Sequence, residues 1–392
     1  MSAPIPVTVL TGFLGSGKTT LLNCLLRRPE LARTAVLINE FGEVGLDHLM
    51  VEKVDGDVLL LSSGCLCCTV RGELVDSLRR LAARAEAGEI VFDRVVIETT
   101  GLADPAPILH TLMAEPDIVR RYRLDGIVTT VDAVTGAATL DAQAESVKQA
   151  AVADRIVLTK TDLAAPDRVA ELTRRLAALN PTARRITATM GEVEPGAILN
   201  AGLFDPSRKV PDVAAWLNDA AFAAAGERDH HHGHHDHGHH DHGHHDHGHH
   251  NHGHHSVHAP HRHDVNRHDA RIHSFCLTFE QPLSWSAVAT WLEMLIVTRG
   301  ESLLRIKGIL NVAGHDRPVA LHGVQHILHP PALLPAWPAR SDGTEDRRSR
   351  IVFIVRDLTR AVVEEGLVAF QKAAAREATI GEATIGDRVA AR

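Results

Sequence analysis

Gly12-Phe13-Leu14-Gly15-Ser16-Gly17-Lys18-Thr19-Thr20 decides how this sequence is read. It fits the pattern G-x-x-x-x-G-K-[ST] and stands where that pattern has meaning. The apolar run Val7–Leu10 before it reads as a strand, and the leucine-rich stretch Leu21–Leu31 after it reads as a helix. Glycines at 12, 15 and 17 let the backbone fold round phosphate oxygens and present N–H groups at a helix N-terminus. In such a loop Lys18 reaches the β- and γ-phosphates and the Thr19 hydroxyl binds Mg²⁺, with Ser16 and Thr20 completing the cradle.

Outward from this loop the chain alternates. Apolar runs at Ala35–Ile38, Val58–Leu61, Val95–Ile97, Gly126–Val131 and Ile156–Leu158 are separated by helical patterns such as Glu73–Ala87 and Arg168–Leu179. Near-continuous apolar strands alternating with helices imply a parallel sheet buried on both faces. The expected fold class is therefore α/β, a mostly parallel sheet covered by helices on both faces, over residues 1–200. Residues 201–229 read as a connecting segment.

Composition then changes abruptly. Between His230 and His255, 17 of 26 residues are His, and His-His-Asp-His-Gly recurs at 234–238, 239–243 and 244–248. Such a segment has nothing apolar to bury, so 230–270 reads as a disordered linker. Its neutral imidazoles suit several Ni²⁺, Co²⁺, Zn²⁺ or Cu²⁺ ions held with little selectivity. A plain solubilising spacer is the competing reading. From 271 to 376 the pattern becomes that of a small α+β domain. Strand-like runs at Arg271–Glu280, Leu303–Val312, Val319–Leu328 and Ile351–Val355 accompany helical patterns at Ser284–Thr298 and Leu358–Ala375. A tail, 377–392, repeats Glu-Ala-Thr-Ile-Gly twice.

Two further strand ends complete a nucleotide site. Ile97-Glu98-Thr99-Thr100-Gly101 places an acid where a carboxylate holds Mg²⁺ through a water, and a glycine where a backbone N–H meets the γ-phosphate. Leu158-Thr159-Lys160-Thr161-Asp162 resembles the Asn-Lys-x-Asp box of guanine-reading proteins. Asp162 would accept from guanine N1–H and its exocyclic amine, and the Lys160 stem would cover the base. Thr159 stands where Asn is usual, which weakens a polar contact to base or loop. A solvated strand end is the plainer reading.

Cys65-Leu66-Cys67-Cys68 follows the third apolar run. Three thiolates in four residues suit Zn²⁺ or Cu⁺ and leave a fourth tetrahedral position open, as transfer or catalysis requires. No second C-x-x-C pair closes the site. Cys24 and Cys276 read as core residues. His315, His322, His326 and His329 fall in the last domain; His322 and His326 can share a strand face, although solvated or core histidines are the simpler assignment.

Of 392 residues, 41 are Lys or Arg and 49 Asp or Glu, a net charge of −8 that argues against a nucleic-acid partner. No run of 18 apolar residues predicts a membrane span. The opening MSAPIPVTVL lacks a leader's charged and apolar regions, so a cytoplasmic protein is expected.

The phosphate loop, Asn39-Glu40-Phe41-Gly42-Glu43-Val44-Gly45-Leu46-Asp47, the cysteine motif, Glu98-Thr99-Thr100-Gly101-Leu102-Ala103-Asp104-Pro105 and the Thr-Lys-x-Asp box occur in that order. Together they resemble the CobW family of metal-handling P-loop GTPases, relatives of the urease- and hydrogenase-maturation GTPases. Leu303-Leu304-Arg305-Ile306-Lys307-Gly308 and Leu321-His322-Gly323-Val324-Gln325 are similar to that family's C-terminal module. The resemblance implies a P-loop NTPase fold and GTP hydrolysis with Mg²⁺. It implies nucleotide-dependent binding of Zn²⁺, with Co²⁺ as the alternative, at Cys65, Cys67 and Cys68, and delivery of that metal to a client protein. It also puts Glu40 and Glu43 in a segment that senses the nucleotide, with Glu43 near the metal. Two rivals stay open: a cobalt chaperone for cobalamin biosynthesis, and a metal buffer whose nucleotide site only regulates. A small-molecule kinase fits less well, given the guanine box and the thiolates.

Overall fold

The computed structural model describes residues 3–39, 59–63, 70–201, 271–340 and 343–390. Glu40, Glu43, Cys65, Cys67, Cys68 and the His-rich segment lie outside them.

The first sheet is seven-stranded and parallel. Its strands are β1 (Ile5–Gly12), β2 (Thr34–Asn39), β3 (Leu59–Ser63), β4 (Arg94–Glu98), β5 (Tyr122–Asp132), β6 (Arg155–Thr159) and β7 (Arg184–Thr187). They lie in the order β3-β2-β4-β1-β5-β6-β7. The helices between them are α1 (Lys18–Leu26), α2 (Val70–Glu86), α3 (Ala106–Ala114), α4 (Pro116–Val119), α5 (Gly136–Ala142), α6 (Ala144–Val152) and α7 (Pro166–Leu179), and α8 (Pro195–Ile198) follows β7. Alternate residues of the central strands serve opposite faces. Val7, Val9, Val95 and Ile97 are buried with Leu74, Leu78 and Leu81 of α2 and Leu109 of α3. Leu10, Val36 and Val96 are buried with Leu21, Leu22 and Leu25 of α1. Both faces are thus covered, which explains why these strands read as unbroken apolar runs.

Three local expectations needed correction. The helix read as Leu21–Leu31 stops at Leu26, because Pro29 opens a separate 3₁₀ turn, Pro29–Leu31. Strand β7 had no signal: Arg184, Arg185 and Thr187 are polar, Ile186 is its one apolar residue, and none is fully buried, as befits a sheet edge. The run Val319–Leu328 is two strands, not one.

The C-terminal domain is a mainly antiparallel sheet of β8 (Ile272–Phe279), β9 (Leu303–Leu310), β10 (Val319–Val324), β11 (Ile327–Leu328), β12 (Ala332–Leu333) and β13 (Ser349–Arg356). β10 and β11 form a tight hairpin whose turn residue Gln325 has φ of 53°. His322 is therefore buried on β10 and His326 exposed in the turn, so the two do not share a strand face. Helices α9 (Trp285–Arg299) and α10 (Arg360–Ala390) cover one face, burying Trp291, Leu295, Val363 and Leu367 against Phe353 and Leu277. α10 runs past Ala375, where the sequence pattern stops, through repeats that contain no proline to end it.

The two domains meet through apolar and charged contacts. Leu304 and Ile354 pack on Ala151 of α6. Asp154, just after α6, accepts from Arg305 Nη2 at 2.5 Å and lies 2.8 Å from Lys307 Nζ, while Arg305 Nη1 donates to Val152 O. Both cations are essentially inaccessible to solvent. A strand containing Arg and Lys among leucines gave no reason to expect burial until this carboxylate was found opposite.

Candidate nucleotide site at the carboxyl edge of the sheet

Parallel pairing brings the strand ends to one edge. Leu10 of β1 and Ile38 of β2 are both in register with Glu98 of β4. Gly12 is in register with Thr130, and Asp132 with Thr159. In open α/β sheets this edge is where ligands bind.

The loop between β1 and α1 crosses it. Gly12 has φ of 143°, and a Cβ there would lie 2.5 Å from Thr130 O, so only glycine lets the loop pass this close to β5. Ser16 Oγ meets Thr130 Oγ1 at 2.6 Å. Gly17 caps α1 in the left-handed region and offers no side chain to the helix, so the first-turn N–H groups face outward for an anion. Lys18 Nζ arches over the loop, donating to Gly12 O at 3.0 Å and Phe13 O at 3.2 Å.

Thr19 Oγ1 donates to Glu98 Oε1 at 2.8 Å, joining the first turn of α1 to the end of β4. Glu98 is buried, and beyond it Thr99 Oγ1 donates to Thr11 Oγ1 at 2.8 Å. Gly101 then folds against the loop itself: a Cβ there would come within 2.6 Å of Leu14 N. Thr20 follows Thr19 on α1 and is exposed.

On the other flank, Thr159 Oγ1 donates to Ser16 O at 2.7 Å. Lys160, with φ of 53°, donates to Gly15 O at 2.8 Å and to Asp132 Oδ2 at 2.7 Å. Asp132 also accepts from Val134 N. Burial raises its pKa, but the Lys160 contact and the backbone donors prevail and hold the carboxyl below its usual range. Asp162 lies exposed in the turn that follows. Asp132 and Thr130 escaped sequence reasoning. The signal was an acid closing the apolar strand Gly126–Val131, opposite a lysine that itself closes the next strand.

The edge thus gathers Gly12, Gly15, Ser16, Gly17, Lys18, Thr19, Glu98, Gly101, Thr159 and Lys160. β3 pairs with β2 so that Asn39 and Ser63 are in register at the same edge. The cysteine motif begins two residues beyond Ser63. Among the described residues, no group of three or more His, Cys, Asp or Glu is placed to hold a metal ion. Cys24 and Cys276 are half-buried, Cys24 with its thiol near Met190 O.

Residues 6–187 match the CobW/HypB/UreG nucleotide-binding domain, and residues 272–371 match the cobalamin synthesis protein cobW C-terminal domain. The zinc chaperone YjiA of Escherichia coli is 32% identical over 351 residues, covering 90% of this chain and 94% of that protein. The chain belongs to the CobW family. A second CobW-family relative, the zinc chaperone CobW of Pseudomonas aeruginosa, is 35% identical over 223 residues, 49% of this chain and 58% of its own length. The zinc-regulated GTPase metalloprotein activator 1 of Schizosaccharomyces pombe is 36% identical over 198 residues, 49% of this chain and 47% of its own. These two are matched over less than two-thirds of their lengths. The crystal structure of Zn(II)-bound YjiA GTPase from E. coli superposes with a TM-score of 0.64 at 27% identity, covering 94% of this chain and 99% of that one. Both the parallel P-loop sheet and the C-terminal sheet are therefore CobW-family features. No helix among the described residues is long and apolar enough to cross a membrane.

Proposed function

We propose that this CobW-family chain is a GTPase metallochaperone: it hydrolyses GTP and uses the change of nucleotide to pass zinc from Cys65, Cys67 and Cys68 to a client protein. The observation that carries this reading is the shared sheet edge. The phosphate loop, Glu98 and Gly101 stand there, and β3 ends there, two residues before the thiolates. Zinc chaperone and GTPase relatives support the same conclusion.

In this reading the N–H groups of 15–20 hold the phosphates, and Lys18 leaves its two carbonyl partners to neutralise the β- and γ-oxygens. Thr19 and Glu98 present hard oxygen donors 2.8 Å apart, a donor set that fits Mg²⁺, and these two residues would hold the ion. When bound, that ion would neutralise phosphate charge. Gly101 donates its N–H to the γ-phosphate. A water oxygen attacks the γ-phosphorus, the bond to the bridging oxygen breaks, and that electron pair leaves with GDP. Thr159 and Lys160 brace the loop, the Lys160 stem lies along the base, and Asp162 accepts from guanine. Glu40 and Glu43 belong to the segment that follows the γ-phosphate, with Glu43 near the metal.

The cargo is a substrate, and thiolate softness favours zinc over magnesium or calcium there. A cobalt cargo would change metal and client but not mechanism. The His-rich segment serves as a local store of loosely held ions. The test is turnover together with metal content. Purified protein should hydrolyse GTP, Lys18→Ala should abolish this, and Cys67→Ser should remove one tightly bound zinc per chain. Metal binding without any GTP turnover would identify a buffer instead.

A further inference from the structure

The segment after Gly101 is held by both domains. Gln149 Nε2 of α6 donates to Gly101 O at 3.3 Å and Ala103 O at 3.0 Å. Asp104 accepts from Ala106 N, starting α3, and its Oδ2 lies 3.4 Å from Lys148 Nζ of α6. The same carboxylate receives Gln325 Nε2 of the C-terminal domain, 3.1 Å from each oxygen. Gln325 occupies the β10–β11 turn in a left-handed conformation that non-glycine residues seldom adopt, and its N–H donates to Leu304 O. On either side of it Val324 and Ile327 are buried in the same apolar cluster as Ile108, Leu109 and Leu112 of α3. A hairpin tip of the second domain is therefore plugged into the first beside the residues that follow Gly101.

We propose that this hairpin tip reads the nucleotide state: movement of Gly101–Pro105 on loss of the γ-phosphate pulls on Asp104, and the Asp104–Gln325 contact passes that movement to the C-terminal domain. The inference rests on the reading of Gly101 as a γ-phosphate contact. The physical basis is strain and economy of contact. Gln325 holds a costly backbone conformation that its side-chain bond to Asp104 helps to offset. Asp104 in turn sits three residues from Gly101, whose contact with Leu14 leaves no slack. Elements ordered by γ-phosphate contacts and released on hydrolysis are the usual moving parts of such GTPases. Here one of them is fastened directly to a second domain. Gln325 is a positioning residue, remote from the phosphates, and its effect must show in the hairpin rather than at the phosphate loop.

Amide hydrogen exchange of the full chain, with GDP and with a non-hydrolysable GTP analogue, tests this. Both nucleotides should protect residues 12–20. Exchange across 319–329 should differ between the two states by at least about threefold. Gln325→Asn keeps a residue that tolerates the left-handed turn but is too short to reach Asp104. It should erase the difference in the hairpin and leave protection of 12–20 intact. Equal hairpin exchange in both states, with 12–20 protected, would overturn the coupling and leave the GTP reading standing. A full difference persisting in Gln325→Asn would overturn Gln325 as the link. Absence of protection at 12–20 would remove the nucleotide reading and the inference with it.

Discussion

Thr159 Oγ1 donates to Ser16 O across 2.7 Å, tying the end of β6 to the phosphate loop. From sequence, Thr159 weakens the guanine box, because it replaces an amide with a shorter hydroxyl. In the fold its contact is with the loop. Thr159→Val keeps the shape and removes the donor. Losing one such bond is worth roughly 0.5–1.5 kcal/mol, or about two- to tenfold in affinity. Fluorescent-nucleotide titration should show GTP and ATP analogues weakened equally, since the effect runs through the loop and not the base. A loss confined to guanine would place Thr159 on the base instead.

Asp162→Asn should behave in the opposite way. One of two acceptors becomes a donor facing the donors of guanine, so GTP weakens while the small residual affinity for other bases rises. Competition between GTP and ITP, which lacks the exocyclic amine, reports the same residue: the wild-type preference for GTP should disappear in the variant.

Removing the oxygen partnership at the metal side gives a third expectation. Glu98→Gln retains size but loses the negative charge that accepts from Thr19. Nucleotide binding should change little, because the loop and Lys18 hold the phosphates, whereas turnover should fall by about 10²-fold or more, as loss of transition-state electrostatics does. Single-turnover hydrolysis measured at saturating GTP and Mg²⁺ separates the two.

The domain junction carries a pH dependence. Burial pushes Lys307 down to about 8 despite the opposing attraction of Asp154. Burial would raise Asp154, but the buried cations Arg305 and Lys307 outweigh it and hold that carboxyl far below its ordinary range. His322 is driven well down by burial and by Arg305, and is neutral. In the unfolded chain Lys307 keeps its proton to about 10.4. Between pH 8 and that point the unfolded state binds more protons, so stability from this group rises with pH, by up to about 1.4 kcal/mol per unit. Asp154 contributes in the other window: its stabilisation is present above about pH 4 and is lost as pH falls below it. Lys307→Met should flatten the alkaline rise in urea midpoint. Asp154→Asn leaves two buried cations without a counter-charge and should cost about 3–5 kcal/mol near neutral pH.

The parts of this architecture that sequence reveals are those with a local signature. The phosphate loop declares itself through glycines whose spacing has one structural use, and the central strands through apolar runs that only two-sided burial requires. β7 was invisible because an edge strand needs no apolar face. The hairpin at Gln325 was invisible because its turn has no glycine, asparagine or proline, and its conformation is held by Leu304 and Asp104 from elsewhere in the chain. Asp132, Thr130 and the Asp154–Arg305–Lys307 cluster share that character. Each depends on a partner 20 or more positions away in sequence, which periodicity does not encode.

The central claim is that nucleotide state sets metal affinity. Because β3 delivers the chain toward the cysteines from the edge that holds the phosphates, metal and γ-phosphate must influence each other if the protein transfers its cargo, and linkage makes the influence reciprocal. The direct measurement is a chelator competition for zinc, performed with GDP and with a non-hydrolysable GTP analogue on the full chain. Zinc affinity should differ by about five- to 150-fold between the two states, nucleotide affinity should shift by the same factor when zinc is added, and Cys67→Ser should abolish both shifts while preserving basal GTP binding. Identical zinc affinity in the two nucleotide states would contradict GTP-driven transfer from this site.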